Sequence, residues 1–175
     1  MKRTKIVKVV FELFEDSNYF MNEAKKCDQD SSSQQRFVRA SILSAWAGFE
    51  GWINKTCFDL AKTLKNLTVH DRGFLLEKKV ELKNGLFNLS NSDNYETIEH
   101  KIEFLVINIA HGRLDKKNRY WKNFKAVKGI RDSIVHPKET RNMACSIVDC
   151  DLTIETLKYY IALLAKKVYK STLNL

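Results

Sequence analysis

The chain has 175 residues, 44% of them hydrophobic, which is enough to bury a core without disulfide or metal staples and is the length of one domain, residues 1–175. Six glycines and one proline among frequent Lys, Leu, Glu and Ala argue against a sandwich or barrel and predict an all-α fold, a helical bundle of about six helices. Thirty basic against 21 acidic side chains leave a net charge of +9, which reads either as a solubilising surface or as a surface for an anionic partner.

In chain order, Ile6, Val9, Val10, Leu13, Phe14 and Ser17, with Phe20 or Met21, recur at three- and four-residue steps and predict a first helix over 4–27. Its N-terminal end is basic, but Lys8 and Glu12 interrupt the apolar run, so neither a signal peptide nor a membrane span is expected. No later run approaches the ~18 uninterrupted apolar residues of a span, and the expected setting is the cytoplasm with no membrane partner. Cys27, Cys57, Cys145 and Cys150 have no C-x-x-C spacing and read as reduced thiols.

After the polar loop DQDSSS, a continuous stripe of Val38, Ile42, Ala45, Trp46, Phe49, Ile53, Cys57, Leu60 and Leu64 predicts one long central helix over 34–66. Gly48 and Gly51 within it are expected to admit a neighbouring helix. Glu50 falls off the stripe, as a solvated side chain or as a partner for an arginine. Thr68 with Asp71 caps a further helix, predicted to reach about Lys83, and NGLFNLSNSDN, 84–94, reads as loop. The next helix spans about 95–110, with Ile98, Ile102, Leu105, Val106 and Ile109 inward. His100 and His111 bracket it ~16 Å apart, too far for one ion, and with no cluster of acids or thiols nearby no metal or cofactor is expected. There is no phosphate-cradling Gly-rich loop and no G-x-S-x-G elbow.

The segment YWKNFKAVKGIRDSIVHPK, 120–138, reads as a helix ending at Val135 or His136, because Pro137 biases its predecessor away from helical dihedrals. On a wheel with Arg131 at zero, Tyr120, Phe124, Val127, Ile134 and Val135 lie within roughly 60° on either side. A guanidinium at the centre of an apolar stripe loses hydration, so it must face a cleft, an interface or a buried acid. His136 hangs at the helix C-terminus, where the dipole favours imidazolium. Residues 113–141 hold ten basic and three acidic side chains, a local net of +7. Beyond them Cys145–Val148 is read as briefly extended, and Asp151 or Thr153 as the cap of a last helix carrying Leu157, Ile161, Leu164 and Val168.

Arg131, the polar Asp132, three further residues and then His136 at the end of a late helix resemble the signature of the HEPN superfamily, and SAWAGFEGWINK, 44–55, is similar to the long helix of some of its families. The resemblance implies an all-helical HEPN-like domain acting as a metal-independent endoribonuclease, of toxin or defence type. In that reading His136 is the general base at the ribose 2′-OH, Arg131 stabilises the charge gathering on phosphorus, Asp132 orients the ring or raises its pKa, and Glu50 is a weaker candidate that reaches Arg131 or its counterpart in another subunit. Five helical steps splay Arg131 and His136 by ~140° and ~7.5 Å, so two chains are expected to build one composite site at a homodimer interface. Lys116, Lys117, Arg119, Lys122, Lys125 and Lys138 are the expected contacts to RNA phosphates. In one group of toxins of this family a tyrosine two places after the histidine is modified by a partner enzyme; here that place holds Lys138, so that control is not expected, which leaves an antitoxin or other protein regulator as a further partner. The alternative is a non-catalytic dimeric module that binds RNA or protein, or an arginine paired inside its own bundle.

Overall fold

The computed structural model describes residues 5–137 and 144–169. Six α-helices lie among them, α1 (Lys5–Lys25), α2 (Ser32–Thr63), α3 (Val69–Leu76), α4 (Ile98–Phe104), α5 (Arg119–Val135) and α6 (Ile147–Tyr169). A two-stranded antiparallel sheet, β1 (Lys78–Lys83) and β2 (Leu86–Asp93), falls between α3 and α4. The fold is thus the expected helical one of about six helices, with one hairpin added. The chain divides into two compact units, Met1–Gly51 with Asp115–Leu175, and Trp52–Leu114.

The first unit is built on the stripe of α2, whose Val38, Ile42, Ala45, Trp46 and Phe49 are buried as their spacing predicts. Trp121, Phe124 and Val127 of α5 and Leu157, Tyr160, Ile161 and Leu164 of α6 complete the core. Phe124 is its hub, with ring centroids of Trp46, Phe49, Trp121 and Tyr160 at 5.8, 6.0, 5.5 and 5.1 Å, the spacing at which aromatic pairs attract. At Gly48 an added Cβ would stand 3.2 Å from two ring carbons of Phe14, so glycine there does admit α1. At Gly51 the nearest atom, Val10 Cγ2, would lie at an ordinary 3.8 Å. Two buried serines satisfy each other: Ser41 Oγ donates to the Ser17 carbonyl at 2.8 Å, and the two hydroxyls are 3.2 Å apart. Helix α6 begins earlier than its sequence suggests. The Ser146 backbone N–H donates to Asp149 Oδ2 at 2.7 Å and the Asp149 N–H donates to Ser146 Oγ at 3.2 Å, a reciprocal cap that displaces the extended reading of 145–148.

In the second unit Ile53, Cys57, Leu60, Leu75, Ile102, Leu105 and Val106 form the core, and burial pushes the Cys57 thiol up to about 12. Arg72 donates to the Ala61 and Leu64 carbonyls at 3.3 and 3.1 Å, closing the C-terminal turn of α2, whose carbonyls have no helical partner. Lys101 is buried, held by Asn54 Oδ1 at 2.7 Å and Glu77 Oε1 at 2.8 Å. Thr68 and Asp71 form the expected capping box, but α3 stops at Leu76, and Glu77 turns left-handed with φ 53°.

The residues expected to prolong α3 are instead β1. Val80 and Leu82 repeat at two, the strand period, and Asn84–Gly85, with φ of 54° and 77°, make the two-residue turn that suits a hairpin. The register Val80↔Leu89 and Leu82↔Phe87 gathers four apolar side chains on one face. Val80 and Leu89 of that face lie against α3 at Gly73, where an added Cβ would meet Val80 Cγ2 at 2.7 Å, the Lys78 carbonyl oxygen at 2.9 Å and Leu89 Cδ2 at 3.4 Å. Gly73→Ala is therefore expected to cost about 1–3 kcal/mol, read as a lower urea midpoint at unchanged slope; a midpoint equal to the parent's would mean that the hairpin withdraws from α3 freely.

Candidate functional site

Helix α5 is set in place by its ends as well as by its core. The Asn118 side chain accepts from the Trp121 N–H at 2.9 Å, and the His136 N–H closes the last turn on the Asp132 carbonyl at 2.8 Å before Pro137. The stop at Val135 is the expected one. Trp121, Phe124, Val127 and Ile134 are buried, and the Arg131 side chain emerges among them 27% exposed.

Its guanidinium is met by two carboxylates of the same chain. Nη2 donates to Glu50 Oε1 at 3.2 Å and Nη1 to Asp132 Oδ1 at 3.0 Å. Glu50, placed outside the α2 stripe by the sequence, thus reaches Arg131 within one chain. Neither acid is buried, at 33% and 39% exposure, so the group sits at a wet rim. Asp132 Oδ2 accepts from Lys128 Nζ at 2.8 Å. Burial works to raise the Asp132 pKa, but hydrogen bonds from Lys128 and Arg131, with their charges, outweigh it and hold the carboxyl below its ordinary value.

His136 is exposed, and among the described residues its imidazole has no hydrogen-bond partner. Asp132 Oδ2 and Oδ1 accept from Lys128 and Arg131, so its contacts among the described residues are with the two cations, where the sequence suggested the ring. Asp132 lies ~100° round α5 from Arg131, on the side where His136 falls at ~140°. It therefore draws the guanidinium from the apolar stripe towards the face that carries the histidine. On that outward face Lys125 and Lys122 stand at ~120° and ~180° and Gly129 at ~160°. Both lysines are exposed, and a Cβ added at Gly129 would meet nothing within 4 Å. The result is an open ridge from two cations to the histidine.

The other expected phosphate contacts cluster at the opposite end of α5. Lys116 and Lys117 are exposed in the preceding connection, with the Lys116 ammonium 5.7 Å from the Trp121 ring. Arg119 opens the helix ~25 Å from His136. Lys138 lies outside the described residues. Lys128 is the member of the group that sequence reasoning missed, although its spacing of four to Asp132 is the signal for such a pair. Among the described residues no three His, Cys, Asp or Glu side chains are grouped to hold a metal ion, and no helix is long and apolar enough to cross a membrane. All four cysteines are free thiols. No protein-family model, curated protein or solved structure matches the chain.

The depressed Asp132 pKa has a sign for stability. Its pairs contribute above the ordinary carboxylate range and that contribution is lost as pH falls through the lowered value. An NMR titration is expected to place Asp132 below the ordinary aspartate midpoint, and Lys128→Met to move it back up. An ordinary midpoint in the parent chain would mean that these ion pairs do not persist in solution.

Proposed function

We propose that the Arg131–His136 end of α5 is the catalytic centre of a metal-independent endoribonuclease of the HEPN kind, completed by a second copy of the chain. One observation carries the reading: a half-buried guanidinium, held by Glu50 and Asp132, on the same helix end as a solvent-exposed histidine with no partner of its own among the described residues. The His136 imidazole removes the proton of a ribose 2′-OH, and the alkoxide attacks the adjacent phosphorus. The planar fork of Arg131, already stripped of part of its water, stabilises the charge on the phosphoryl oxygens. Internal transfer also needs an acid for the departing 5′ oxygen. One chain offers one histidine here, so the partner's copy of His136 supplies the second proton-transfer group across a two-fold axis.

The ridge of Lys122 and Lys125 beside Gly129 gives the RNA backbone a path to His136, and Lys116, Lys117, Arg119 and Lys138 add phosphate contacts that read no base. The cytoplasm, a toxin or defence role and control by a protein regulator belong to the same proposal. A second reading, a dimeric module that binds RNA or protein without cutting it, is favoured by the engagement of both ends of the Arg131 guanidinium with carboxylates, which a phosphate has to displace.

The two readings separate on purified protein. Cleavage is expected to persist with chelator, to leave a 2′,3′-cyclic phosphate and a 5′-hydroxyl, and to stop on a strand with deoxyribose at the cut. His136→Ala is expected to lose at least about 10²-fold in turnover with modest change in binding, and Arg131→Lys to fail as well, since a point charge does not replace the fork. Activity that needs a divalent ion or survives His136→Ala would overturn the nuclease, and RNA binding without cleavage would establish the module.

Light scattering at micromolar concentration is expected to give a dimer. A strict monomer that still cleaves would refute the shared site.

A further inference from the structure

At the other end of α5 a second group of side chains converges, distinct from Arg131 and His136. Arg119, Tyr120 and Asn123 of α5 and Glu155 and Thr156 of α6 line a cleft of about 200 Å³. Its wall is aromatic: the Tyr120 and Tyr159 rings stack 3.8 Å apart and 5° from parallel. The Arg119 guanidinium lies 4.8 Å from the Tyr120 centroid and donates to its hydroxyl at 3.0 Å. Arg119 is itself exposed, so this contact is held in full solvent and is readily exchanged. Two polar groups at the cleft are unused. Among the described residues neither the Asn123 amide nor the Glu155 carboxylate has a hydrogen-bond or ion-pair partner.

A π-surface, a movable guanidinium, an amide and a bare carboxylate around a small cleft are complementary to a nucleotide. We propose that this cleft holds one nucleotide of single-stranded RNA whose base carries an exocyclic amino group: adenine, cytosine or guanine in preference to uracil. The base takes the place of the Arg119 guanidinium against Tyr120, and the displaced guanidinium pairs with the phosphate. Glu155 accepts from the amino group, while Asn123 supplies a donor and an acceptor to the ring edge. Uracil offers Glu155 only its N3–H, flanked on both sides by carbonyl oxygens that repel the second carboxylate oxygen, where an amino group offers two N–H donors. This inference rests on RNA being the substrate of the Arg131–His136 site, and adds to it a reading position. Arg119 and His136 are ~25 Å apart along α5, so one strand spans both and the base that is read lies several nucleotides from the bond that is cut.

The test uses the full chain carrying His136→Ala, so that RNA survives, and fluorescence anisotropy with oligo-A, oligo-C and oligo-U of about eight nucleotides, within the span of a single-strand site. Oligo-A and oligo-C are expected to bind about tenfold tighter than oligo-U at equal salt. Glu155→Gln, at an exposed position, is expected to bring the three within about twofold of one another, by weakening oligo-A and oligo-C and tightening oligo-U. AMP is expected to perturb the NMR signals of Asn123 and Thr156 yet bind far more weakly than oligo-A, because it lacks the ridge contacts. Equal binding of the three oligomers, a preference that survives Glu155→Gln, or no RNA binding at all would overturn the reading position. AMP binding as tight as oligo-A would overturn the strand as its ligand. Cleavage by the parent chain is scored separately, so a nuclease without base preference refutes this inference alone.

Discussion

A guanidinium carried on the apolar face of a helix must find an anion at the edge of that face, and in the first unit Arg131 of α5 finds Glu50 of α2. Arg131 lies in line with Phe124 and Val127, which are fully buried, and its charge is tolerated because Glu50 and Asp132 stand at its two ends. Exposed pairs of this kind contribute little to stability, ~0–1 kcal/mol. Their effect is geometric: a fork held at both ends has one orientation, and Asp132 turns it towards the side of α5 that carries His136. The clustering of Lys128, Arg131 and Asp132 then keeps the carboxylate ionised over a wider range of pH.

Such an orientation is useful only on a rigid support. The rings around Phe124 supply it, since Trp46 and Phe49 of α2 and Tyr160 of α6 all bear on one side chain of α5, and close packing leaves them no room to shift independently. The same helix carries the two unlike features of the unit at its ends, the Tyr120 stack and His136. A straight run of hydrogen-bonded turns holds them at one separation.

How much of this the sequence discloses depends on the period of each segment. The long α2 stripe, the buried stripe of α5 and the stop before Pro137 are all legible, because one residue type recurs at helical spacing or one residue forbids a conformation. Glu50 is legible only as a residue out of place, since its partner lies 81 positions away. The hairpin is missed because Lys, Glu and Leu in KKVELK are good helix formers, and the Asn84–Gly85 signal counts for more than their propensity. Lys101 is missed for another reason. A lysine reads as surface, and only Asn54 and Glu77 brought to its ammonium make its burial tolerable. The cap of α6 is visible as Ser146 and Asp149, but the following Ile and Val suggest a strand more strongly than a first helical turn. Base reading at Asn123 and Glu155 leaves no pattern at all, since the two residues are ordinary polar members of separate helices.

Helix α4 runs directly into a π-helical turn, Leu105–Ile109, closed by the Ala110 N–H on the Leu105 carbonyl at 3.0 Å. A π turn is an α-helix with one residue too many, held in as a bulge. Loss of one residue from it restores the α-helix without breaking the chain's course, and residues on both sides, Lys101 among them, keep their faces. Gaps between related chains normally collect in loops. Here the place where a single-residue gap belongs is inside a helix, and an alignment that moves it into the 110–118 connection would set every position between out of step.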